Sequence, residues 1–314
     1  MGKKKVLVTG GAGFIGSHLC DTLIKRGLKV VCVDNLITGS EKNINHLRKN
    51  KNFKFIKQDV VKEKVGEGNI NYIFHLASPA SPIDYQNRPE ETVLVNSLGT
   101  INILRLAVHN KARFLFASTS EVYGDPLEHP QKETYWGNVN SFGPRSCYDE
   151  SKRFGETMTY IYIHKYGIDA RIIRIFNTYG PRMQKDDGRV VSNFINQALS
   201  GKPLTVYGDG NQTRSFCYVS DLVSGIEKVM FTDGLIKGEV FNLGNPEEHS
   251  VLDLAKKIKK LTGSKSEIVF RPRPVDDPRQ RRPDITKAKR ILKWEPKVTV
   301  EKGLKKTIGY YQNL

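Results

Sequence analysis

The segment TGGAGFIG, at residues 9–16, constrains the fold of this chain more than any other stretch. It follows the apolar run KVLVT, which predicts a strand, and opens FIGSHLCDTLIKRG, whose spacing predicts a helix ending at Gly27. Gly10 suits the tight turn, Gly13 lets the backbone approach a pyrophosphate, and Gly16 allows the helix to pack closely on the strand. The segment therefore predicts a strand–turn–helix unit that binds a dinucleotide.

The end of the second predicted strand, KVVCVDN, indicates which dinucleotide to expect. Asp34 lies there, 18 residues after Gly16. A carboxylate at this point accepts hydrogen bonds from a ribose 2′-hydroxyl and repels a 2′-phosphate, so the sequence predicts NAD rather than NADP. The same cofactor site is predicted to include three neighbouring residues: Phe14, Ile15 and Asn35.

Short apolar runs alternate with helical patterns through the first half of the chain, which predicts a parallel sheet with crossover helices. Further strands are predicted in FKFIKQDV, INYIFHLAS, ARFLFASTSEVYG and DARIIRIFNTYGP, with a helix at about 90–110. Their continuous apolar runs suit strands that are buried on both faces. After Pro181, GRVVSNFINQALSG, VLDLAKKIKKLTG and TVEKGLKKTIGYYQNL predict helices, and PLTVYG and GEVFNLG predict short strands.

The predicted fold class is therefore α/β, with a doubly wound, Rossmann-type parallel sheet and a smaller C-terminal substrate-binding lobe. Residues 1–180 are assigned to the dinucleotide-binding domain. Residues 181–314 are assigned mainly to the second lobe, with a chain that can recross between the two.

The carboxyl ends of the strands are expected to form the ligand-binding edge of the sheet. The third and fourth strands end in residues predicted to contact the cofactor: Asp59, Val60, Leu76, Ala77 and Ser78. On the fifth strand Ala117 is assigned to the cofactor, and the strand ends in Thr119, Ser120 and Glu121. His75 lies within an apolar stretch and is predicted to be a buried structural residue rather than a catalyst.

The segment GPRSCYDESKR holds a tyrosine and a lysine four positions apart, Tyr148 and Lys152. On a helix this spacing puts both side chains on one face, one turn apart. The lysine is expected to lower the pKa of the phenol, so that Tyr148 accepts a proton near neutral pH. Connectivity brings the pair to the edge that carries Thr119 and Ser120. Beside a nicotinamide, these groups predict a relay in which the phenolate takes a hydroxyl proton while hydride passes to NAD⁺.

Composition limits the class of protein and its partners. With 38% hydrophobic and 26% charged residues, the chain is typical of a globular protein. The net charge of +17 is scattered, so a solvated surface is favoured over a nucleic acid or membrane partner. No long apolar run and no signal segment are visible, so the expected compartment is the cytoplasm. The four cysteines show no CxxC spacing, and no metal is expected.

These motifs resemble the extended short-chain dehydrogenase/reductase family of nucleotide-sugar enzymes: TGGAGFIG, the Tyr-x-x-x-Lys pair and FNTYGPR. Within it, the chain resembles the UDP-glucuronate decarboxylases through HLASPASP, GPRSCYDESKR, IFNTYGPRM, DDGRVVSNFI, YGDGNQTRSFCYVSDLV, NLGNPEEH and DDPRQRRPDI, which span almost the whole chain. One departure is Ser151, where this family commonly carries glycine. It lies on a different helix face from Tyr148 and Lys152, so little consequence is expected.

The resemblance implies a reaction without net redox change, on UDP-glucuronate as substrate. Oxidation at C4 of the sugar makes the C6 carboxylate that of a β-keto acid, which loses CO₂ readily. Protonation at C5 and return of hydride to C4 then give UDP-xylose and restore NAD⁺. The cofactor is therefore expected to stay bound.

The resemblance also implies a role for each matching position. Tyr148 is the base and later the acid, and Lys152 lowers its pKa and holds the nicotinamide ribose. Thr119 or Ser120 steadies the C4 oxygen, and Glu121 assists near C5. The other implied contacts are to the sugar carboxylate from Arg281, to the nicotinamide from Thr178, and to the UDP from Asn177, Arg189, Tyr207 and Arg214.

Other interpretations stay open on the same scaffold. A decarboxylase can stop at the UDP-4-keto pentose and release NADH, and a UDP-sugar 4-epimerase retains CO₂; RQRRPDI favours decarboxylation over epimerisation. A dTDP-glucose 4,6-dehydratase is disfavoured, because Ser120 and Glu121 stand in place of its usual Asp-Glu pair. A regulatory protein on a degenerate dehydrogenase fold would be expected to lack the glycines or the Tyr/Lys pair. By resemblance, a homodimer is expected through helices near 96–110 and 148–165.

Overall fold

The structure is a computed structural model that describes residues 3–66, 68–234 and 236–314. Strands and helices alternate along the first half of the chain. The strands are β1 (Lys5–Thr9), β2 (Lys29–Asp34), β3 (Phe53–Lys57), β4 (Tyr72–His75), β5 (Arg113–Thr119), β6 (Ala170–Ile175), β7 (Thr178–Tyr179), β8 (Leu204–Tyr207), β9 (Thr213–Ser215), β10 (Cys217–Tyr218), β11 (Val240–Leu243), β12 (Glu248–Ser250), β13 (Ile268–Arg271) and β14 (Gln280–Arg281). The helices are α1 (Phe14–Lys25), α2 (Pro82–Asn87), α3 (Pro89–Leu94), α4 (Thr100–Asn110), α5 (Ser146–Tyr166), α6 (Val190–Leu199), α7 (Val219–Phe231), α8 (Val251–Thr262), α9 (Thr286–Leu292) and α10 (Val300–Gln312). A π-helical turn at Val95–Gly99 joins α3 to α4.

Seven strands form one parallel sheet in the order β11-β6-β5-β4-β1-β2-β3. The order reverses between β1 and β4, whose carboxyl ends therefore form the crevice where such sheets bind ligands. Buried side chains of β1 alternate between two layers: Val6 and Val8 pack in the cluster that holds Leu19 of α1, and Leu7 packs in the cluster that holds Ile103 of α4. Both faces of the sheet are covered, as the continuous apolar runs predict.

The six strands predicted for the first half are confirmed as β1–β6, and the predicted helices are confirmed as α1, α3–α4, α5, α6, α8 and α10. GEVFNLG is β11, and it joins the large sheet beside β6 with Val240 opposite Ile172. The chain thus recrosses to the large sheet after residue 180. Helices α2, α7 and α9 are not predicted from the sequence. Helix α7 contacts α1 and buries Leu222 and Ile226.

The remaining strands form three small sheets in the orders β10-β7, β12-β9-β14 and β13-β8. Strands β9 and β14 run parallel, with Arg214 opposite Arg281. Helices α6, α8 and α10 contribute Phe194, Leu254 and Leu304 to the same apolar cluster as β1. The pairing of β9 with β14 therefore brings Arg214 and Arg281, which are far apart in the sequence, side by side. Every helix of the described residues is too short or too polar to cross a lipid bilayer.

Candidate active site

The glycine loop between β1 and α1 packs closely against its neighbours. Gly10 has a φ of +70°, a conformation that favours glycine, and its N–H donates to Val33 O at 2.8 Å. A Cβ at Gly16 would lie 2.1 Å from Gly10 O, which leaves no room for a side chain there. Gly13 precedes α1 with an extended backbone and no side-chain cap. The first N–H groups of α1 are therefore available to an anionic group, as a dinucleotide pyrophosphate requires.

Asp34, at the end of β2, is held in place by backbone N–H groups. Its Oδ1 accepts from Leu36 N at 2.8 Å, and its Oδ2 accepts from Ala12 N at 3.0 Å. Burial raises the pKa of this carboxyl, and the backbone donors oppose that rise. Each carboxylate oxygen has a further lone pair, so the side chain can also accept from a ribose. Close by, Asn35 Nδ2 donates to Asp59 Oδ2 at 3.4 Å.

A cavity of about 1000 Å³ extends from the glycine loop to β14. It is lined on the predicted cofactor side by Gly10, Gly13, Phe14, Ile15, Gly16, Asp34, Asn35, Asp59, Val60, Leu76, Ala77, Ser78, Ala117 and Thr178. It is lined on the predicted catalytic and substrate side by Thr119, Ser120, Glu121, Tyr148, Lys152, Asn177, Arg189, Tyr207, Arg214 and Arg281. The fold thus brings every predicted site residue to one cavity, whose glycine loop and Asp34 fit a dinucleotide. The individual roles remain predictions.

Tyr148 and Lys152 lie one turn apart on α5, and both are buried. The Thr119 side chain lies close enough to the Tyr148 phenol to oppose the rise of its pKa. Lys152 Nζ donates to Ala117 O at 2.9 Å and lies 5.8 Å from the centroid of the Tyr148 ring. Thr119 and Ala117 belong to β5, so the sheet edge fixes both groups of the pair.

The protein alone does not lower the pKa of Tyr148, contrary to the expectation from the Tyr/Lys spacing. Burial raises the pKa of the phenol, and the Thr119 side chain only partly opposes this. Burial also lowers the pKa of Lys152 to about 7. The physical reason is that burial among protein atoms removes solvation, which disfavours phenolate and ammonium alike. In the protein by itself, Tyr148 is therefore a neutral phenol at neutral pH.

Tyr85 is a site residue that the sequence analysis missed. Its ring stacks on that of Tyr148, with the centroids 5.0 Å apart and the planes 6° apart. It lines the cavity, and its buried hydroxyl has no hydrogen-bond partner among the described residues. A local signal was available: Ser81 caps α2 and Pro82 opens it, a combination that marks a helix start.

Glu121 lies between two arginines. Arg281 Nη1 donates to Glu121 Oε1 at 2.5 Å, and Arg145 Nη2 donates to Glu121 Oε2. Burial alone would raise the pKa of Glu121, but Arg281 and then Arg145 hold it at about 2. Arg281 also donates to Ser120 Oγ at 3.0 Å and to Gly124 O at 2.7 Å. Arg145 was not predicted, although it stands in the GPRSCYDESKR segment.

The predicted substrate arginines are each paired with a carboxylate. Arg189 Nε and Nη2 donate to Asp187 at 2.5 and 2.6 Å. Arg214 Nη2 donates to Asp277 at 2.9 Å. Tyr207, 44% exposed, stands at the rim of the cavity. The part of the cavity wall available to a nucleotide therefore consists of two guanidinium groups, each paired with a carboxylate, and one aromatic ring.

The last two predicted substrate-side residues are fixed by backbone contacts. Asn177 O accepts from Cys217 N at 2.9 Å, which ties the segment after β6 to β10. Thr178 Oγ1 donates to Phe176 O at 2.9 Å and is buried. Both therefore hold defined positions at the carboxyl end of β6.

His75 is buried and structural, as predicted. Its Nδ1 lies 2.7 Å from Thr9 Oγ1 and its Nε2 lies 3.1 Å from Thr100 Oγ1. Burial, and next the nearby Lys152 ammonium, lower the pKa of the imidazole to about 3. A neutral histidine with two hydroxyl partners links β1, β4 and α4, but it does not supply protons near neutral pH.

Ser151 makes an interhelical hydrogen bond that its place on the helix did not predict. It is buried, and its Oγ donates to Cys147 O at 2.5 Å and accepts from Asn96 Nδ2 at 3.0 Å. Asn96 belongs to the π-helical turn. The serine therefore connects the helix of the Tyr/Lys pair to its neighbour, a contact that a glycine side chain cannot make.

Comparison with known proteins agrees with this site. The family model described as GDP-mannose 4,6 dehydratase matches residues 7–307. UDP-glucuronic acid decarboxylase 1 of Danio rerio is 55% identical over 309 residues, which are 98% of this chain and 73% of the relative. UDP-glucuronic acid decarboxylase 1 of Arabidopsis thaliana is 53% identical over 315 residues, which are 100% of this chain and 71% of the relative.

A solved structure shares the fold over almost its whole length. UDP-glucuronic acid 4-epimerase from Bacillus cereus, in complex with UDP-glucuronic acid and NAD, is 33% identical, with a TM-score of 0.91 and coverage of 98% of this chain and 99% of that chain. Fold, glycine loop, Tyr/Lys pair and relatives agree. The chain belongs to the extended short-chain dehydrogenase/reductase family of nucleotide-sugar enzymes, in the group whose curated members are named UDP-glucuronic acid decarboxylases.

Proposed function

We propose that this protein is an NAD-dependent enzyme that converts UDP-glucuronate to UDP-xylose and CO₂ through a UDP-4-keto intermediate. The observation that carries the proposal is the buried cluster in which Arg145 and Arg281 bind Glu121, beside Tyr148 and Thr119. It places cationic donors for a carboxylate next to a phenol and a hydroxyl for a sugar oxygen. Relatives at 52–56% identity carry the decarboxylase name.

The cofactor has a fitting cradle. We propose that the glycine loop, Asp34 and Lys152 hold NAD, together with the other residues that line the cofactor side of the cavity. Bound NAD supplies an acceptor, and later a donor, of hydride at C4. Its positive charge favours the phenolate of Tyr148, which the protein alone does not.

The chain's own groups then act at three places on the sugar. Tyr148 takes the proton of the C4 hydroxyl and later returns it, and Thr119 or Ser120 holds that oxygen. Once C4 is a ketone, the C6 carboxylate belongs to a β-keto acid: the C5–C6 bond breaks, CO₂ leaves, and the bonding pair stays on the sugar as an enolate delocalised onto the C4 oxygen. A proton from solvent must then be added at C5, and Glu121 is assigned to assist there as a carboxylate that orients the donor rather than as the source of the proton. Arg281 keeps Glu121 ionised and in place.

The UDP moiety is assigned to Asn177, Arg189, Tyr207 and Arg214. Guanidinium groups suit phosphate oxygens, and an aromatic ring suits a base. We also propose that residues 181–314 mainly form the nucleotide-sugar lobe, with β11 returned to the sheet of residues 1–180. The first assignment is tested by titrating R189Q and R214Q with UDP. Both variants should bind UDP more weakly than wild type.

The test of the activity is incubation of the purified protein with UDP-glucuronate, followed by proton NMR and absorbance at 340 nm. UDP-xylose without a lasting 340 nm signal is expected. UDP-4-keto pentose with stoichiometric NADH would show an open cycle, and UDP-galacturonate would show a 4-epimerase, the activity named for the Bacillus cereus neighbour. Y148F should stop product formation, whereas Y160F, a change at an exposed tyrosine of the same helix, should not.

We propose a homodimer formed through the surface of α3–α4 and α5. Apolar side chains on these helices are exposed in the single chain: Val93, Leu94, Leu98, Phe154 and Ile161. Covering them removes apolar surface from water. Light scattering after gel filtration should give twice the monomer mass for wild type and for L314E, a control at the exposed C-terminal residue. It should give the monomer mass for the double variant L98E/F154E.

We propose the cytoplasm as the working compartment. All four cysteines are unpaired thiols, which suits a reducing environment. Cell fractionation with an antibody against the protein should recover it with cytosolic markers, and recovery with membranes would contradict the proposal.

A further inference from the structure

Arg145 and Arg281 bind the same carboxylate, but they differ in the donors they have left. Arg281 Nη1 donates to Ser120 and Glu121, and Nη2 donates to Gly124 O. Its side chain is only 2% exposed, and Nε is buried without a partner among the described residues. Both terminal nitrogens of Arg281 are therefore already used in hydrogen bonds to groups around Glu121.

Arg145 retains one guanidinium nitrogen, Nη1, that is not used within the described part of the protein. Its Nη2 donates to Glu121, and its Nε lies 3.8 Å from Asp149 Oδ2. Its Nη1 has no hydrogen-bond partner among the described residues. It is not one of their fully buried unpartnered atoms, so part of its surface remains accessible. The side chain is 12% exposed and lines the cavity. Of the two guanidinium groups, Arg145 presents the more accessible donor.

The position of Arg145 is fixed relative to the reacting phenol. Arg145 precedes α5 and stands three residues before Tyr148, whose backbone N–H donates to Arg145 O at 3.0 Å. Its guanidinium carbon lies 5.8 Å from the centroid of Tyr85, the ring that stacks on Tyr148. Glu121, Asp149 and Tyr85 thus hold the guanidinium from three sides. A fixed fork of this kind suits recognition of a carboxylate.

The charge of the cluster also suits one further anion. Burial, and next the charge of Glu121, raise the pKa of Asp149 to about 8, with Arg145 opposing. This shift favours the protonated form of Asp149, which leaves two guanidinium ions facing the single carboxylate of Glu121. Such a cluster can pair with one further carboxylate.

We propose that Arg145 is the residue that recognises the C6 carboxylate of the substrate, through Nη1, while Arg281 anchors Glu121 and Ser120. This inference rests on the proposed function and assigns the specificity-determining contact within it. It differs from the expectation in which Arg281 alone contacts the carboxylate. Arg145 then distinguishes glucuronosyl from neutral sugar nucleotides.

The test compares two ligands that differ only by the carboxylate, UDP-glucuronate and UDP-xylose. Calorimetric binding is measured in the Y148F background with NAD bound, and NMR verifies that UDP-glucuronate persists. Adding R145Q should weaken UDP-glucuronate about 10- to 100-fold, as loss of a hydrogen bond between charged groups does. UDP-xylose affinity should change by less than about threefold, and R145K should lie between, because lysine keeps the charge but loses the planar fork.

Two control variants make the result decisive. R290Q, at an exposed arginine of α9, should leave both affinities unchanged. R281Q should lower turnover in the Tyr148-containing enzyme but keep the ratio of the two affinities. Equal losses for both ligands in R145Q, or loss of the preference in R281Q instead, would overturn the assignment. If the wild-type protein neither binds nor converts UDP-glucuronate, the proposed function fails, and this assignment fails with it; if it converts the substrate and R145Q keeps the preference, only the assignment fails.

Discussion

Tyr85 supports Tyr148 face to face, with ring planes only 6° apart and centroids separated by 5.0 Å. Thr119, at the end of β5, lies beside the same phenol and opposes the rise of its pKa. The proposed acid–base group is thus fixed by a helix that precedes it by some sixty positions and by a strand end, rather than by its own helix alone. Stacking of this geometry also contributes beyond the area buried.

The stack can be tested with two variants of Tyr85. Y85F should keep the free energy of unfolding, because the buried hydroxyl has no partner among the described residues. Y85A should lower it by about 3–5 kcal/mol, the usual cost of removing a buried aromatic ring, and should lower kcat by freeing Tyr148. Urea unfolding and turnover of UDP-glucuronate measure the two effects. Equal destabilisation by Y85F and Y85A would show that the hydroxyl, not the ring, matters for stability.

Lys152 should make stability depend on pH in the alkaline range. Burial lowers its pKa from 10.5 to about 7, so between these values the unfolded chain binds a proton that the folded protein does not. Stability of the nucleotide-free protein should therefore rise with pH across this window. K152M should be more stable than wild type at pH 6, on the order of a few kcal/mol, and the gap should close toward pH 10.

The measurement is urea unfolding of wild type and K152M at several pH values. K256M, at an exposed lysine of α8, is the matched control and should follow wild type throughout. Parallel curves for wild type and K152M would show that Lys152 is not desolvated in the folded protein.

Glu121 should act in the opposite direction, in acid. Its pKa falls from 4.5 to about 2 because Arg281 and Arg145 outweigh the effect of burial. The stabilisation is complete above pH 4.5 and is lost as the pH falls toward 2. At pH 7, E121Q should be destabilised by about 3–5 kcal/mol, because two guanidinium ions lose their shared carboxylate. E63Q, at an exposed glutamate, is the control. A stability difference that is the same at pH 3 and pH 7 would contradict the proposed ion pairs.

Two helical glycines form a further matched pair. A Cβ at Gly16 would lie 2.1 Å from Gly10 O, whereas one at Gly309 would meet nothing within 4 Å. G16A should therefore abolish NAD binding and destabilise the fold. G309A should stabilise it by about 0.5–1 kcal/mol, since alanine is the better residue within a helix. Thermal unfolding and NAD titration measure both, and an unimpaired G16A would contradict the close packing of α1 on the loop.

Several features were determined by contiguous sequence. The glycine loop, Asp34 and the spacing of Tyr148 and Lys152 are local patterns, and the sequence alone indicates each of them. Turn chemistry and side-chain periodicity depend on neighbouring residues, so they are readable without tertiary contacts. The parallel sheet followed from the same patterns, because continuous apolar runs suit strands buried on both faces.

Other features depended on packing between distant segments. β11 lies beside β6 only because the chain recrosses after residue 180, and a four-residue strand carries no mark of its partner. Arg145 and Arg281 meet on Glu121 across long sequence separations. The direction of the pKa shifts was also decided by the fold. The Tyr/Lys spacing predicted a lowered phenol pKa, but burial in the protein alone raises it, because desolvation depends on all surrounding atoms and no short segment encodes it.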